Sequence, residues 1–263
     1  MMRYNKLKEI FASGGSVLNG WIHLSSTVAI EAMSQVGFDS LTLDLQHGPL
    51  HYDAALPLLQ TMSATDVTPL ARVPWNEPGI IMKMLDAGCM GIICPMISSA
   101  RECEAFVQAC RYPPLGYRSY GPTRARLYAG ADYAKHANTE VLTFAMIETK
   151  GAMDELDEIM SVEGLDAIYV GPADLSQALG GPPGADWEEG PVVEALEKIL
   201  LAAKRHGVVA GIHTGSSPYA QKMIDQGFQF ITVQSDLNFL TQAASEVVKA
   251  VKESSLSQGS SMY

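Results

Sequence analysis

Residues 164–172 read GLDAIYVGP: a glycine, a short apolar run rich in β-branched and aromatic side chains, then a Gly-Pro break. The device recurs at 37–45 (GFDSLTLDL), 88–96 (GCMGIICPM), 207–213 (GVVAGIH) and 227–234 (GFQFITVQ), each time after an amphipathic helical stretch. Glycine suits the left-handed residue that closes a helix. A near-continuous apolar run is what a parallel strand requires when both of its faces are buried. Working outward from these five, the remaining strand candidates bring the set to Val17–His23, Leu41–Gln46, Pro69–Val73, Gly91–Pro95, Leu142–Ile147, Ala167–Val170, Val208–Ile212 and Phe230–Val233. Helical segments fall between each pair. Ser98 and Ser99 precede one of them (ARECEAFVQAC), and Ser217 before Pro218 reads as an N-cap with proline at the first helical position. Eight strands alternating with helices in 263 residues predict a single-domain (β/α)8 barrel over residues 1–252. The end, residues 253–263, is Ser-rich and reads as a loose tail. No G-x-G-x-x-G follows the first strand, which counts against a dinucleotide-binding fold. The longest irregular connection runs from Arg111 to about Thr123.

Composition narrows the function classes. Hydrophobic residues make up 47% and charged residues 18%, which suits a large buried core. The net charge of −11, with no compensating basic cluster, argues against a nucleic-acid partner, because such binding rests on Lys and Arg neutralising phosphates. Cys89, Cys94, Cys103 and Cys110 form no C-x-x-C pair and are expected to be reduced, buried thiols. The N-terminus lacks the apolar core of a secretory signal, and the apolar runs are of strand length, so a cytoplasmic protein away from membranes is expected.

A barrel of this kind keeps its chemistry at the C-terminal ends of its strands. Polar side chains gather there: Asp44, Gln46 and His47 after strand two, Arg72 at strand three, Glu148 after strand five, Asp174 after strand six and His213 at strand seven. Two acidic groups on neighbouring strand ends suit a hard divalent cation that keeps positions open for water and substrate. Each residue also has a purely structural reading. Glu148 could hold a strand-end salt bridge, Asp174 could cap a helix, Arg72 could sit in a buried ion pair, and His47 could be a hydrogen-bonded loop histidine. His23 closes strand one and could line the pocket, while His51, His136 and His206 read as surface residues.

Four motifs, LDLQHGP (43–49), ARVPWNEP (71–78), AMIET (145–149) and VGPADLS (170–176), carry a resemblance to the HpcH/HpaI aldolases, metal-dependent pyruvate aldolases that include 4-hydroxy-2-oxoheptanedioate aldolase. The likeness runs from about Gly20 to Leu240. It implies that Glu148 and Asp174 are the protein ligands of one Mg²⁺, Mn²⁺ or Co²⁺. It also implies that Arg72 takes the 2-oxo group and stabilises the enolate, and that backbone at Gly171 and Ala173 holds the substrate carboxylate. Further, it implies that His47, oriented by Asp44, moves protons through a bound water, that Trp21 forms part of the pocket wall, and that the barrels assemble as a hexamer. The chain departs from the commonest pattern at Gln46, Met146 and His213, and in GYRSYGPTRAR, which bears on the aldehyde partner more than on the metal. With His213 counted toward the substrate pocket, the expected activity is cleavage or formation of a 4-hydroxy-2-oxo acid from a 2-oxo acid, pyruvate or hydroxypyruvate, and an aldehyde.

That chemistry needs positive charge against the oxygen where the enolate develops, worth about 3–4 kcal/mol for one donor, and a base whose ordinary pKa lies near neutrality, as imidazole's does at about 6.5. A Schiff-base aldolase would need a desolvated lysine, and only Lys150 lies near a strand end. Other readings are a lyase acting on thioesters or phosphorylated 2-oxo acids, related to the citrate lyase β or phosphoenolpyruvate mutase groups, and a non-catalytic binding barrel. The lyase would need basic residues for phosphate or coenzyme A, and the concentration available is Arg118, Arg124 and Arg126.

Overall fold

The computed structural model describes residues 2–259, without the side chains of 253–259. Eight parallel strands close on themselves in sequence order: β1 (Val17–Ile22), β2 (Ser40–Asp44), β3 (Thr68–Arg72), β4 (Gly91–Cys94), β5 (Leu142–Ile147), β6 (Ala167–Val170), β7 (Val209–Thr214) and β8 (Phe230–Val233). The expected (β/α)8 barrel is therefore what the chain forms, with strand ends displaced by no more than two residues.

The apolar runs divide by parity. In β5, Leu142, Phe144 and Met146 join Val17, Trp21, Leu70, Ile93, Tyr169 and Phe230 in one cluster inside the barrel, which Leu7 of the N-terminal helix also joins. Ala145 and Ile147 join the larger cluster shared with the surrounding helices. Glu148 continues the inward parity of Phe144 and Met146, so the strand itself sends its carboxyl toward the barrel axis. All six residues of β5 are buried, which is why the sequence there shows no alternation.

Helix ends follow the capping rules. Ser99 accepts the Glu102 N–H at the start of Ala100–Cys110. Ser216, one residue before the expected Ser217, caps Ser217–Gln226 with Pro218 in its first turn, because its hydroxyl reaches the Tyr219 N–H. Asp174 is not an N-cap: Gly171 holds that place in Pro172–Ala178, with Pro172 first in the helix and Asp174 in its first turn. The irregular connection after residue 111 gives way to two short helices, Ala125–Ala129 and Tyr133–Glu140. All four cysteines are free and buried, and burial pushes the thiols of Cys89, Cys103 and Cys110 up to about 12.

The last helix, Asp236–Gly259, starts against the barrel and then leaves it. Asp236 accepts the N–H groups of His23 and Leu24, at 2.8 and 3.0 Å, which pins the exit of β1. From Thr241 to Lys252 every residue is exposed. The helix runs on to Gly259, into the stretch read as a loose tail, and residues 260–263 lie outside the described residues. Among the described residues no helix is long and apolar enough to cross a membrane.

Candidate active site

Asp44 organises one half of the barrel mouth. Its Cα pairs with that of Arg72 across β2 and β3, so both side chains leave the sheet at the same level. Arg72 donates from Nε to Oδ1 at 2.8 Å and from Nη2 to Oδ2 at 2.6 Å, the two-pronged geometry that suits guanidinium and carboxylate. Trp21 Nε1 adds a bond to Oδ2 at 3.2 Å, and the His23 Nε2 lies 2.9 Å from the same oxygen. Burial alone would raise the Asp44 pKa. The bonds from His23, Arg72 and Trp21 overcome it and hold the carboxyl well below the usual carboxylate range. The Arg72 guanidinium also lies over the Trp21 ring, 4.8 Å from its centroid.

The turn after β2 folds back over this pair. The backbone N–H groups of Gln46 and His47 donate to Asp44 Oδ1, at 3.1 and 3.3 Å. A Cβ on Gly48 would stand 2.4 Å from the Asp44 carbonyl oxygen, so only glycine lets the chain return so closely. The His47 side chain is thereby turned outward and exposed. Asp44 thus holds the His47 backbone, while His23, Trp21 and Arg72 occupy its carboxyl oxygens from the side-chain side. Among the described residues the buried Gln46 Oε1 has no hydrogen-bond partner.

The other half of the mouth is acidic. Glu148 is 2% exposed, and its Oε1 accepts the Met96 N–H at 2.8 Å. Met96 adopts a left-handed φ of 58° where the chain leaves β4, a conformation rare for a side chain of its size. Thr149 caps the next short helix and bonds Ser98 Oγ at 2.9 Å, fastening the exits of β4 and β5 together behind Glu148. Burial raises the Glu148 pKa to about 7. The Met96 N–H opposes that rise, and the negative charge of Asp174 adds to it. Asp174 is exposed at the rim, on the first turn of Pro172–Ala178, and Ala173 beside it is partly buried. A Cβ on Gly171 would lie 2.2 Å from Glu148 Oε2, so this glycine serves space, since its φ of −94° is open to any residue.

The donor set fits a divalent cation in a definite way. Among the described residues no group of three or more His, Cys, Asp or Glu side chains is placed to hold a metal. What the mouth offers is two carboxylates, one of them buried and costly to ionise by itself. Such a pair leaves the remaining coordination positions to water and substrate oxygens.

His213 and Tyr169 complete the wall. Tyr169 stacks on Trp21 with centroids 5.6 Å apart and planes 6° from parallel, and His213 meets Trp21 edge-on at 5.3 Å. His23, read as closing strand one and able to line the pocket, meets Asp44 here. Tyr169 escaped the sequence reading, because it sits mid-strand where an apolar run hides its hydroxyl. Parity would have found it, since Tyr169 lies two residues before Gly171 on the inward face.

The alternatives lose their residues. Lys150 pairs with Asp154 at 2.9 Å and its side chain is 77% exposed. Arg118 is fully buried, donating to Tyr133 and Asp86. Arg124 donates to the carbonyls of Ala87 and Leu59. Two of the three arginines that a phosphate or coenzyme A would need are thus engaged in the fold.

The profile of the HpcH/HpaI aldolase/citrate lyase family matches residues 18–243. The chain belongs to the HpcH/HpaI aldolase/citrate lyase family. It is 37% identical over 244 residues to a hydroxypyruvate/pyruvate aldolase of Rhizorhabdus wittichii, covering 93% of this chain and 97% of that one. It is 32% identical to a 4-hydroxy-2-oxo-heptane-1,7-dioate aldolase of Escherichia coli, covering 91% and 92%. The crystal structure of an HpcH/HpaI aldolase/citrate lyase family protein from Burkholderia cenocepacia superposes with a TM-score of 0.88 at 30% identity, over 94% of this chain and 99% of that one. The HpcH/HpaI assignment thus extends to fold and length, and makes the chain a carbon–carbon lyase.

Proposed function

We propose that this protein is a class II aldolase that makes or cleaves 4-hydroxy-2-oxo acids, with pyruvate or hydroxypyruvate as the 2-oxo acid and an aldehyde as its partner. The observation that carries the reading is the pairing of a buried, charge-starved Glu148 with a neighbouring Asp174, opposite an arginine fixed by Asp44. Glu148 and Asp174 would hold one Mg²⁺, Mn²⁺ or Co²⁺, which when bound supplies Lewis-acid polarisation of the 2-oxo oxygen. Arg72 keeps Nη1 clear of Asp44 and directs it at the same oxygen, where enolate charge develops. Backbone at Gly171 and Ala173 receives the substrate carboxylate. His47, exposed at the rim, exchanges protons with water, and Trp21 walls the pocket. Retro-aldol release of pyruvate from a 4-hydroxy-2-oxo acid is expected to stop after chelation and to return with Mn²⁺ or Mg²⁺. Full turnover in the stripped protein would refute the metal reading.

The raised pKa of Glu148 has a sign that can be checked. Below its ordinary value of 4.5 the carboxyl is protonated in both folded and unfolded chains and costs nothing. Between 4.5 and about 7 the unfolded chain loses the proton first, so the metal-free protein loses stability as pH rises. Above that window the cost is about 3 kcal/mol. A divalent cation binds the ionised form and removes the cost, so the Tm gained on adding Mn²⁺ should be larger at pH 8 than at pH 5.5. Equal gains at both pH values would mean that Glu148 is not a ligand.

The exposed apolar residues of the last helix, among them Leu240, Val247 and Val248, support assembly into a homo-oligomer, with a hexamer as the expected size. Light scattering on the intact chain reads that mass directly, and a monomer would refute it.

A further inference from the structure

β1 delivers an imidazole to the mouth. Asn19 and Trp21 point into the barrel, Asn19 onto Ser40, Thr42 and Thr232, and Trp21 onto Asp44. Side chains alternate along a strand, so His23, the first residue beyond β1, continues that inward parity. It does so at the C-terminal end of the strand, where a barrel keeps its chemistry. Its ring lands on Asp44. Nε2 lies 2.9 Å from Oδ2, the oxygen that also takes Arg72 Nη2 at 2.6 Å and Trp21 Nε1 at 3.2 Å. Imidazole and guanidinium are thus held side by side on one carboxylate oxygen. The backbone is fixed too, since Asp236 accepts the His23 N–H.

The edges of this ring are used unequally. A carboxylate gripped by both prongs of a guanidinium is an acceptor, so the hydrogen in the His23 bond sits on Nε2. The turn after β2 lies along the Cδ2 edge, where a Cβ on Gly48 would come to 3.4 Å. That leaves the Nδ1–Cε1 edge. Among the described residues Nδ1 has no hydrogen-bond partner, and it is not sealed from solvent, the side chain being 25% exposed. A ring that donates to a carboxylate from one nitrogen and bares the other is equipped as a base. The carboxylate fixes the tautomer and stabilises the imidazolium once a proton arrives. His47 is held differently: its backbone N–H meets Asp44, and its side chain is exposed.

We propose that His23 is the catalytic base at the substrate itself, its Nδ1 taking the proton of the 4-hydroxyl in cleavage. The O–H electrons form the aldehyde carbonyl, the C3–C4 bond breaks, and its pair stays on the 2-oxo fragment as an enolate beside Arg72. The imidazolium then returns the proton to C3, giving pyruvate and a neutral ring. Synthesis runs the same steps backward. His47, at the rim, exchanges protons between this site and bulk water. The inference rests on the aldolase reading for its substrates.

The test compares two reactions of the full-length, Mn²⁺-loaded protein that reach the same enolate. Cleavage of 4-hydroxy-2-oxopentanoate needs a base. Decarboxylation of oxaloacetate does not, because carbon dioxide leaves with no proton to remove. His23→Gln keeps an amide donor for Asp44 but has no basic nitrogen. It should lower kcat for cleavage about 10²-fold or more, with KM little changed, and lower oxaloacetate loss by less than about tenfold. A second readout is the ¹⁵N spectrum of the metal-free, histidine-labelled protein at pH 8, with the His23 signals assigned by their loss in the variant. It should show hydrogen on Nε2 and none on Nδ1. Equal losses in the two reactions would make His23 a support for Asp44 only. Unchanged cleavage in His23→Gln would remove it from the chemistry, and a hydrogen on Nδ1 would deny it the lone pair. Each of these results overturns the proposal. A wild type that cleaves no 4-hydroxy-2-oxo acid would overturn the aldolase reading, and this proposal with it.

Discussion

Replacing Glu148 by glutamine is expected to cut aldol turnover by about 10³-fold or more, the scale of losing a preorganised charge contact at the reacting oxygen. Calorimetry should show that Mn²⁺ binding collapses with it. The fold should survive, because Glu148 makes a single backbone hydrogen bond, from Met96, which a glutamine carbonyl also accepts. The metal-free variant should even gain stability above neutral pH, since the buried carboxyl is the costly member of the site there. Near-wild-type turnover in Glu148→Gln would remove this side chain from the metal's ligands.

Asp44→Ala should act on stability as well as on rate. Removing a fully buried carboxylate leaves the Arg72 guanidinium, the Trp21 N–H and the His23 ring without their shared acceptor. Breaking one side of a buried ion pair costs about 3–5 kcal/mol, which for a chain of this size lowers Tm by roughly 10 °C. Turnover should fall further than the unfolded fraction explains, because Arg72 loses the carboxylate that aims it and the turn at His47 loses its anchor. A variant with unchanged Tm would show that Arg72 finds another partner in the mouth. Asp44→Asn should keep part of the stability, since an amide oxygen can still accept from Arg72.

The fold was legible because five glycines mark where helices stop and five apolar runs follow them, a signal that survives burial on both faces. Helix caps were less legible: Ser216 and Ser217 are both serines, and only the reach of a hydroxyl to the Tyr219 N–H separates them. Asp174 read as a possible cap because Gly-Pro-Ala-Asp admits two helix starts, and the proline took the first helical position. The site residues stood out where each is a polar group at the end of an apolar strand, as Glu148, Arg72 and Asp44 are. Which groups touch Asp44 was not legible, because His23 and Trp21 come from β1 and meet it through the β1–β2 pairing. The buried bond from Asn19 to Thr232 was hidden for a similar reason, since only barrel closure brings β8 beside β1.

The account turns on one cation held between Glu148 and Asp174. Anomalous diffraction at the manganese edge from a crystal soaked with Mn²⁺ and pyruvate reads that directly. A single peak between those two carboxylates, with the pyruvate oxo group facing Arg72, is the predicted result. Pyruvate bound with no peak there, or a peak coordinated by other side chains, would contradict it.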